Sequence, residues 1–174
     1  EKKKMYEKIV LIAPHAFSDA SHETANDLIF LDYYEHLFET LKFISSNQKL
    51  NNILWIVRPH PASKRYNEEG IVEGIVKNLN KKNILLSPKI STAKILELSD
   101  VVITSRGTIG LEALCFGKNA IIAGSSVYSG YNFILHPKNK HSYFNILKKI
   151  KNLKKINKKQ IILSKKLLYY LEFD

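Results

Sequence analysis

Residues 100–124 read Asp100-Val101-Val102-Ile103-Thr104-Ser105-Arg106-Gly107-Thr108-Ile109-Gly110-Leu111-Glu112-Ala113-Leu114-Cys115-Phe116-Gly117-Lys118-Asn119-Ala120-Ile121-Ile122-Ala123-Gly124. Residues 101–103 are a β-branched apolar run, as in a strand buried on both faces of a parallel sheet. Residues 104–108 are small and polar and hold Gly107, so the chain turns. Residues 109–116 read as a helix, and Gly117 stands where a C-cap glycine belongs. Residues 120–123 are the next buried strand. The turn therefore lies at the carboxyl edge of a parallel sheet, where open α/β folds bind ligands.

The turn has anion-binding chemistry. A helix N-terminus leaves backbone N–H groups unpaired and carries a partial positive charge. Ser105 and Thr108 add hydroxyls there, and Gly107 allows close approach to the backbone. Glu112 lies one turn into the helix on the face of Thr108, where a carboxylate can accept from two sugar hydroxyls. The plainer alternative is a helix capped by Ser105 or Thr108, with Glu112 solvated.

Outward from this unit the alternation continues in both directions. Residues 8–13 form a first strand. A long polar loop, 14–28, follows it and carries His15, Asp19, His22 and Glu23; their spacing matches no standard metal motif, and substrate contact is the expected use. Residues 30–45 are an amphipathic helix with Phe30, Tyr33, Tyr34, Leu37, Phe38, Leu41 and Ile44 as its apolar stripe. Strand 52–57 runs into Arg58-Pro59-His60-Pro61. The two prolines hold this segment extended and fix where the imidazole points. A histidine at a strand end can donate to a phosphate or protonate a leaving group. A helix opening at Asn67 or Glu68, a strand at 83–86 and a short helix capped by Ser91 or Thr92 lead back to the central unit. Beyond it lie a Ser/Gly/Tyr-rich loop with Ser125 and Tyr128, then helices at 141–152 and 157–171. Strands alternating with helices imply an α/β fold: a Rossmann-like, three-layer domain with a parallel sheet of at least five strands. Residues 1–174 read as one such domain, ending in basic helices over 141–174.

Composition narrows the function classes. The 174 residues are 45% hydrophobic, enough for a real core. No apolar run approaches the ~20 residues of a membrane span. The single cysteine, Cys115, excludes an internal disulfide and reads as a buried, inert thiol. The net charge of +11 is uneven: residues 1–137 carry +2 and residues 138–174 carry +9. That tail holds lysines and no arginine, which argues against nucleic acid; a solvated helix face is the plain reading of it, and weak attraction to an anionic membrane surface the functional one. No glycine-rich fingerprint follows the first strand, so dehydrogenase and methyltransferase readings fail.

Four segments in this order resemble the capsule polysaccharide biosynthesis family, which includes Kdo transferases that use CMP-Kdo. They are His15-Ala16-Phe17-Ser18-Asp19-Ala20, His60-Pro61, Thr104 through Leu114, and Tyr128-Ser129-Gly130-Tyr131-Asn132-Phe133. The resemblance implies one half of a GT-B glycosyltransferase, the half that holds the nucleotide sugar. It implies donor contacts from Arg58, His60, Ser105, Arg106, Gly107, Thr108 and Glu112, with His15, Asp19, Ser125 and Tyr128 from the flanking loops. His60 would also act catalytically, by protonating the cytidine phosphate leaving group. The donor would be a CMP-linked acidic sugar, needing no metal and no cofactor, and the acceptor a glycan or lipid-linked glycan. The enzyme would be cytoplasmic, resting on the inner face of the membrane. The acceptor-side domain is expected to be missing, so this chain alone should be inactive. Other members of the fold class stay open: a UDP- or GDP-sugar transferase, an epimerase, a polyol-phosphate transferase, or a non-catalytic nucleotide-binding module.

Overall fold

The computed structural model describes residues 5–19 and 28–173. Five strands, β1 (Lys8–Ile12), β2 (Ile53–Val57), β3 (Ile84–Leu86), β4 (Val101–Thr104) and β5 (Asn119–Ile122), form one sheet in the order β3-β2-β1-β4-β5. Every pairing is parallel. The helices are α1 (Tyr33–Ser46), α2 (Ile71–Leu79), α3 (Thr92–Leu98), α4 (Ile109–Cys115), α5 (Lys140–Lys148) and α6 (Lys158–Phe173). Strand order reverses between β1 and β4, which makes the carboxyl ends of these two strands the switch point of the sheet.

Successive residues of a strand face opposite sides, and both sides are buried here. Val10, Ile12, Trp55, Val57, Val101 and Ile103 pack against α1, α2 and α5. Ile9, Leu11, Leu54, Ile56 and Val102 pack against α3 and α4. The near-continuous apolar runs of β1, β2 and β4 follow from this double burial. A third cluster joins Leu111 and Leu114 of α4 to Ala120 and Ile122, with Ile156, Leu167 and Leu168 closing it from α6 and the chain leading into it. At the C-terminal end of α4 Gly117 takes φ +73, and a Cβ there would sit 3.2 Å from Ile161. Near the other end, Glu172 acts electrostatically on Glu112. Helix α6 thus runs antiparallel to α4 and packs against it.

Several boundaries differ from the sequence expectation, each for a local reason. Helix α1 starts at Tyr33, not Phe30, because the Asp32 side chain caps it by accepting from the Glu35 N–H at 2.7 Å. Two members of its expected stripe, Tyr34 and Phe38, are on the outer face. Helix α2 starts at Ile71, after Asn67 and Gly70 take left-handed φ values of 56 and 87. Helix α5 stops at Lys148, and a 3-10 turn at Ile150–Asn152 follows. Cys115 is half-buried, with its thiol pushed up chiefly by that burial.

The two lateral edges of the sheet are treated differently. The segment around Leu135 stitches onto β5: the Ile122 N–H donates to the Leu135 carbonyl at 3.0 Å, and the Leu135 N–H to Ala120 at 3.1 Å. At the opposite side β3 is three residues long, with Pro88 two residues beyond it.

Candidate functional site

Chain leaving β1, β2 and β4 converges at the switch point. His15, Arg58, Pro59, His60, Thr104, Gly107, Thr108 and Glu112 all line one cavity of about 180 Å³. The loops after β2 and β4 are therefore side by side, as the alternation of elements implies.

His15 emerges two residues after Ala13. Its ring is stacked between Tyr33 of α1, at 4.6 Å and 18°, and His60, at 5.8 Å and 10°. Neither ring nitrogen has a hydrogen-bond partner, although both are buried. Burial is the main cause that pushes its pKa down to about 4; positive charge on His60 and Arg106 adds to the effect and Asp19 opposes it. His60 is held from its own backbone. Its Nδ1 accepts from the Ala62 N–H at 3.2 Å and caps the 3-10 turn Pro61–Lys64. In the neutral ring the proton then sits on Nε2, leaving a donor there. One guanidinium nitrogen of Arg58 and one of Arg106 are likewise buried without a partner.

The turn after β4 is supported from below. Ser105 is fully buried, and its Oγ lies 2.8 Å from His36 Nδ1 rather than in the cavity. The other nitrogen of His36 is 3.0 Å from the Tyr143 hydroxyl, which lies 2.8 Å from Thr40 Oγ1. Tyr128 is also beneath the turn, donating to the Gly107 carbonyl at 2.5 Å; burial raises its phenol pKa and keeps it a donor. Gly107 admits close approach: a Cβ would lie 3.2 Å from Thr104 Oγ1 and 3.4 Å from His15 Nε2. At Gly110 a Cβ would lie 2.5 Å from the Tyr128 hydroxyl. Gly110→Ala should therefore cost about 1–3 kcal/mol of stability by overpacking. Thermal melts in the native and Tyr128→Phe backgrounds check this: the penalty should shrink when the hydroxyl is gone, and equal penalties would rule out this contact as the cause.

Thr108 precedes α4 but makes no capping bond with its side chain; its Oγ1 is 3.5 Å from Glu112 Oε1. Half-burial raises the Glu112 carboxyl above its ordinary value, with Thr108 opposing and Glu172 adding. Asp19 accepts from the Tyr66 hydroxyl at 2.9 Å and faces His15 electrostatically. Ser125 lines a separate hollow with Leu28, Ile29 and His136. His22 and Glu23 lie outside the described residues. Among the described residues, no group of three or more His, Cys, Asp or Glu side chains could hold a metal ion.

Sequence reasoning missed two supports. Glu68, buried, accepts from the backbone N–H of Phe17 at 2.8 Å and of Ser18 at 2.7 Å, tying the β1 loop to the β2 loop. His36 and Thr40 lie at helical spacing from Tyr33, Leu37, Leu41 and Ile44, so the stripe itself marked both as inward-facing.

Comparison with known proteins gives the same frame. No curated protein matches the chain. Among solved structures, Thermosulfurimonas dismutans KpsC beta Kdo 2,7 transferase is similar at TM-score 0.52 and 20% identity over 76% of this chain. The beta Kdo 2,4 transferase of the same organism is similar at TM-score 0.53 and 17% identity over 78%. Methanocaldococcus jannaschii UDP-GlcNAc 2-epimerase, in complex with UDP-GlcNAc and UDP, is similar at TM-score 0.54 and 16% identity over 97%. The chain spans 40% of each transferase chain and 47% of the epimerase chain. At these identities the likeness shows a shared fold, one half of a GT-B-like architecture. The family model for capsule polysaccharide biosynthesis proteins matches residues 2–162, and the chain belongs to that family.

Proposed function

We propose that the chain is the nucleotide-sugar-binding domain of a glycosyltransferase in capsular polysaccharide synthesis, with a CMP-activated acidic sugar such as Kdo as donor. The supporting observation is a set of buried nitrogens without partners: those of His15 and Arg58 line the cavity at the switch point, and that of Arg106 belongs to the turn after β4, whose charge acts on His15. Buried donors left unpaired are costly, and an anionic phosphate would accept from all three side chains. His60 would present Nε2–H to the same phosphate, as contact and as proton donor to the departing cytidine phosphate. Thr108 and Glu112, at the rim, would take the ribose hydroxyls. Ser105 and Tyr128 would act from beneath, by holding the turn.

No helix among the described residues is long and apolar enough to cross a membrane, and a nucleotide-sugar donor would place the domain in the cytoplasm. The acceptor would be a growing glycan, free or lipid-linked. It would meet the donor against a second domain, consistent with the chain spanning 40% of the transferases that share its fold. Catalysis needs both reactants held in near-attack geometry. The expected result is a chain that folds alone, binds CMP more tightly than UMP, and transfers no sugar from CMP-Kdo. Calorimetric titration with both nucleotides, followed by a transfer assay, checks this. Measurable transfer would overturn the half-enzyme reading. Preference for UMP would move the donor assignment to UDP-sugars.

A further inference from the structure

Lysines are concentrated at the amino edge of the sheet, while the arginines lie at the carboxyl edge. The three arginines, Arg58, Arg65 and Arg106, all lie beyond carboxyl ends of strands, on the cavity side. At the amino edge, Lys8 opens β1 and Lys49 precedes β2; Lys81 and Lys82 precede β3, and Lys118 precedes β5. Residues 148–159, from the last residue of α5 through the first turn of α6, hold seven more lysines and no acid. Contacts fix this link at the same edge: the Asn119 side chain donates to the Lys154 carbonyl at 3.1 Å, and Lys151 pairs with Glu7 at 3.2 Å. The acids there are few and engaged. Asp100 accepts from the Ile9 N–H at 2.9 Å, and Glu97 pairs with Lys94 at 2.9 Å. Most of the chain's +11 therefore sits on one edge, and the tail is only part of it.

This charge does not serve the cavity. A five-residue strand spans roughly 17 Å, about twice the ~8 Å Debye length at physiological ionic strength. It is also the wrong chemistry for reading bases or gripping single phosphates, which favours the arginine fork. Lysines spread over the loops that enter four strands form a broad field of hydrated point charges. That suits a surface whose negative charge is diffuse.

We propose that the amino-terminal edge of the sheet docks on an anionic lipid bilayer, with the cavity edge turned away toward solvent. The inference is independent of the donor assignment. The test is co-sedimentation of the full chain with phosphatidylcholine vesicles containing about one third phosphatidylglycerol, against pure phosphatidylcholine. Binding is expected only to the anionic vesicles, falling about tenfold or more at ~1 M salt, where the Debye length is about 3 Å. One variant combines Lys148→Gln, Lys149→Gln, Lys154→Gln and Lys155→Gln, all at exposed positions of the amino edge. A second removes charge near the cavity edge through Lys64→Gln, Lys89→Gln and Lys138→Gln, also exposed. The first should lose most vesicle binding with an unchanged melting temperature, and the second should lose less than about half. Equal losses, equal binding to neutral vesicles, or displacement from the vesicles by a short nucleic-acid duplex would each overturn the proposal.

Discussion

Acidification from about pH 7 to about pH 5 should cost the domain about 2 kcal/mol through His36 alone. His36 is fully buried, and both ring nitrogens are within hydrogen-bond distance of hydroxyls. Burial first, and then the charge of His15, push its pKa from 6.5 down to about 3. The sign follows from where the proton binds. Below 6.5 the unfolded chain takes up a proton that the folded chain refuses, so unfolding is favoured. The loss grows by about 1.4 kcal/mol per pH unit until the pH approaches the folded value near 3. His15, pushed down to about 4, acts in the same direction over a narrower window. Urea unfolding across this range, on the native chain and on His36→Gln, measures it. The native chain should lose stability steeply and the variant should show a much shallower slope. Identical slopes would remove His36 as the cause.

His60→Ala should weaken nucleotide binding by about ten- to a hundred-fold, the 1.5–3 kcal/mol of a hydrogen bond to a charged group. The fold should survive, since His60 is in a partly exposed loop. The substitution also removes the Nδ1 cap on the Ala62 N–H, so a second variant is needed. Asparagine is a strong capping residue and can accept that N–H, but it carries no imidazole toward the ligand. Calorimetry on His60→Asn separates the roles. If the variant binds as poorly as His60→Ala, the ring contacts the ligand. Recovery of native affinity would mean that His60 matters only by shaping the turn.

How far the sequence could be read depended on the range of the interactions involved. Val101, Val102 and Ile103 specify a doubly buried strand by their own side chains, and alternation with helices gave the parallel sheet. Helix starts were less legible, because a single capping contact at Asp32 and left-handed residues at Asn67 and Gly70 outweighed the apolar periodicity. At the site, residue types marked the loops but not the direction of each side chain. Ser105 and Thr108 look alike in sequence. One is buried against His36, 69 positions away, and the other faces the cavity rim. Glu68 shows the same limit: it organises Phe17 and Ser18 from 50 positions downstream, through two backbone N–H groups that no motif records.

The sheet's lateral edges bear on how the chain behaves in company. An open strand offers unpaired N–H and C=O groups to any extended peptide, and long flat edges recruit further copies. Here the Leu135 segment occupies the β5 side, and Pro88 closely follows the other outer strand. Among the described residues the remaining free ladder is the three-residue β3, with charged Lys81 and Lys82 just before it. Three residues give too little ladder to seat a stranger, and lysines at the entry repel a second copy. Among the described residues, self-templated strand addition is disfavoured at both sides, so crowding many copies at one surface should not drive them into fibrils.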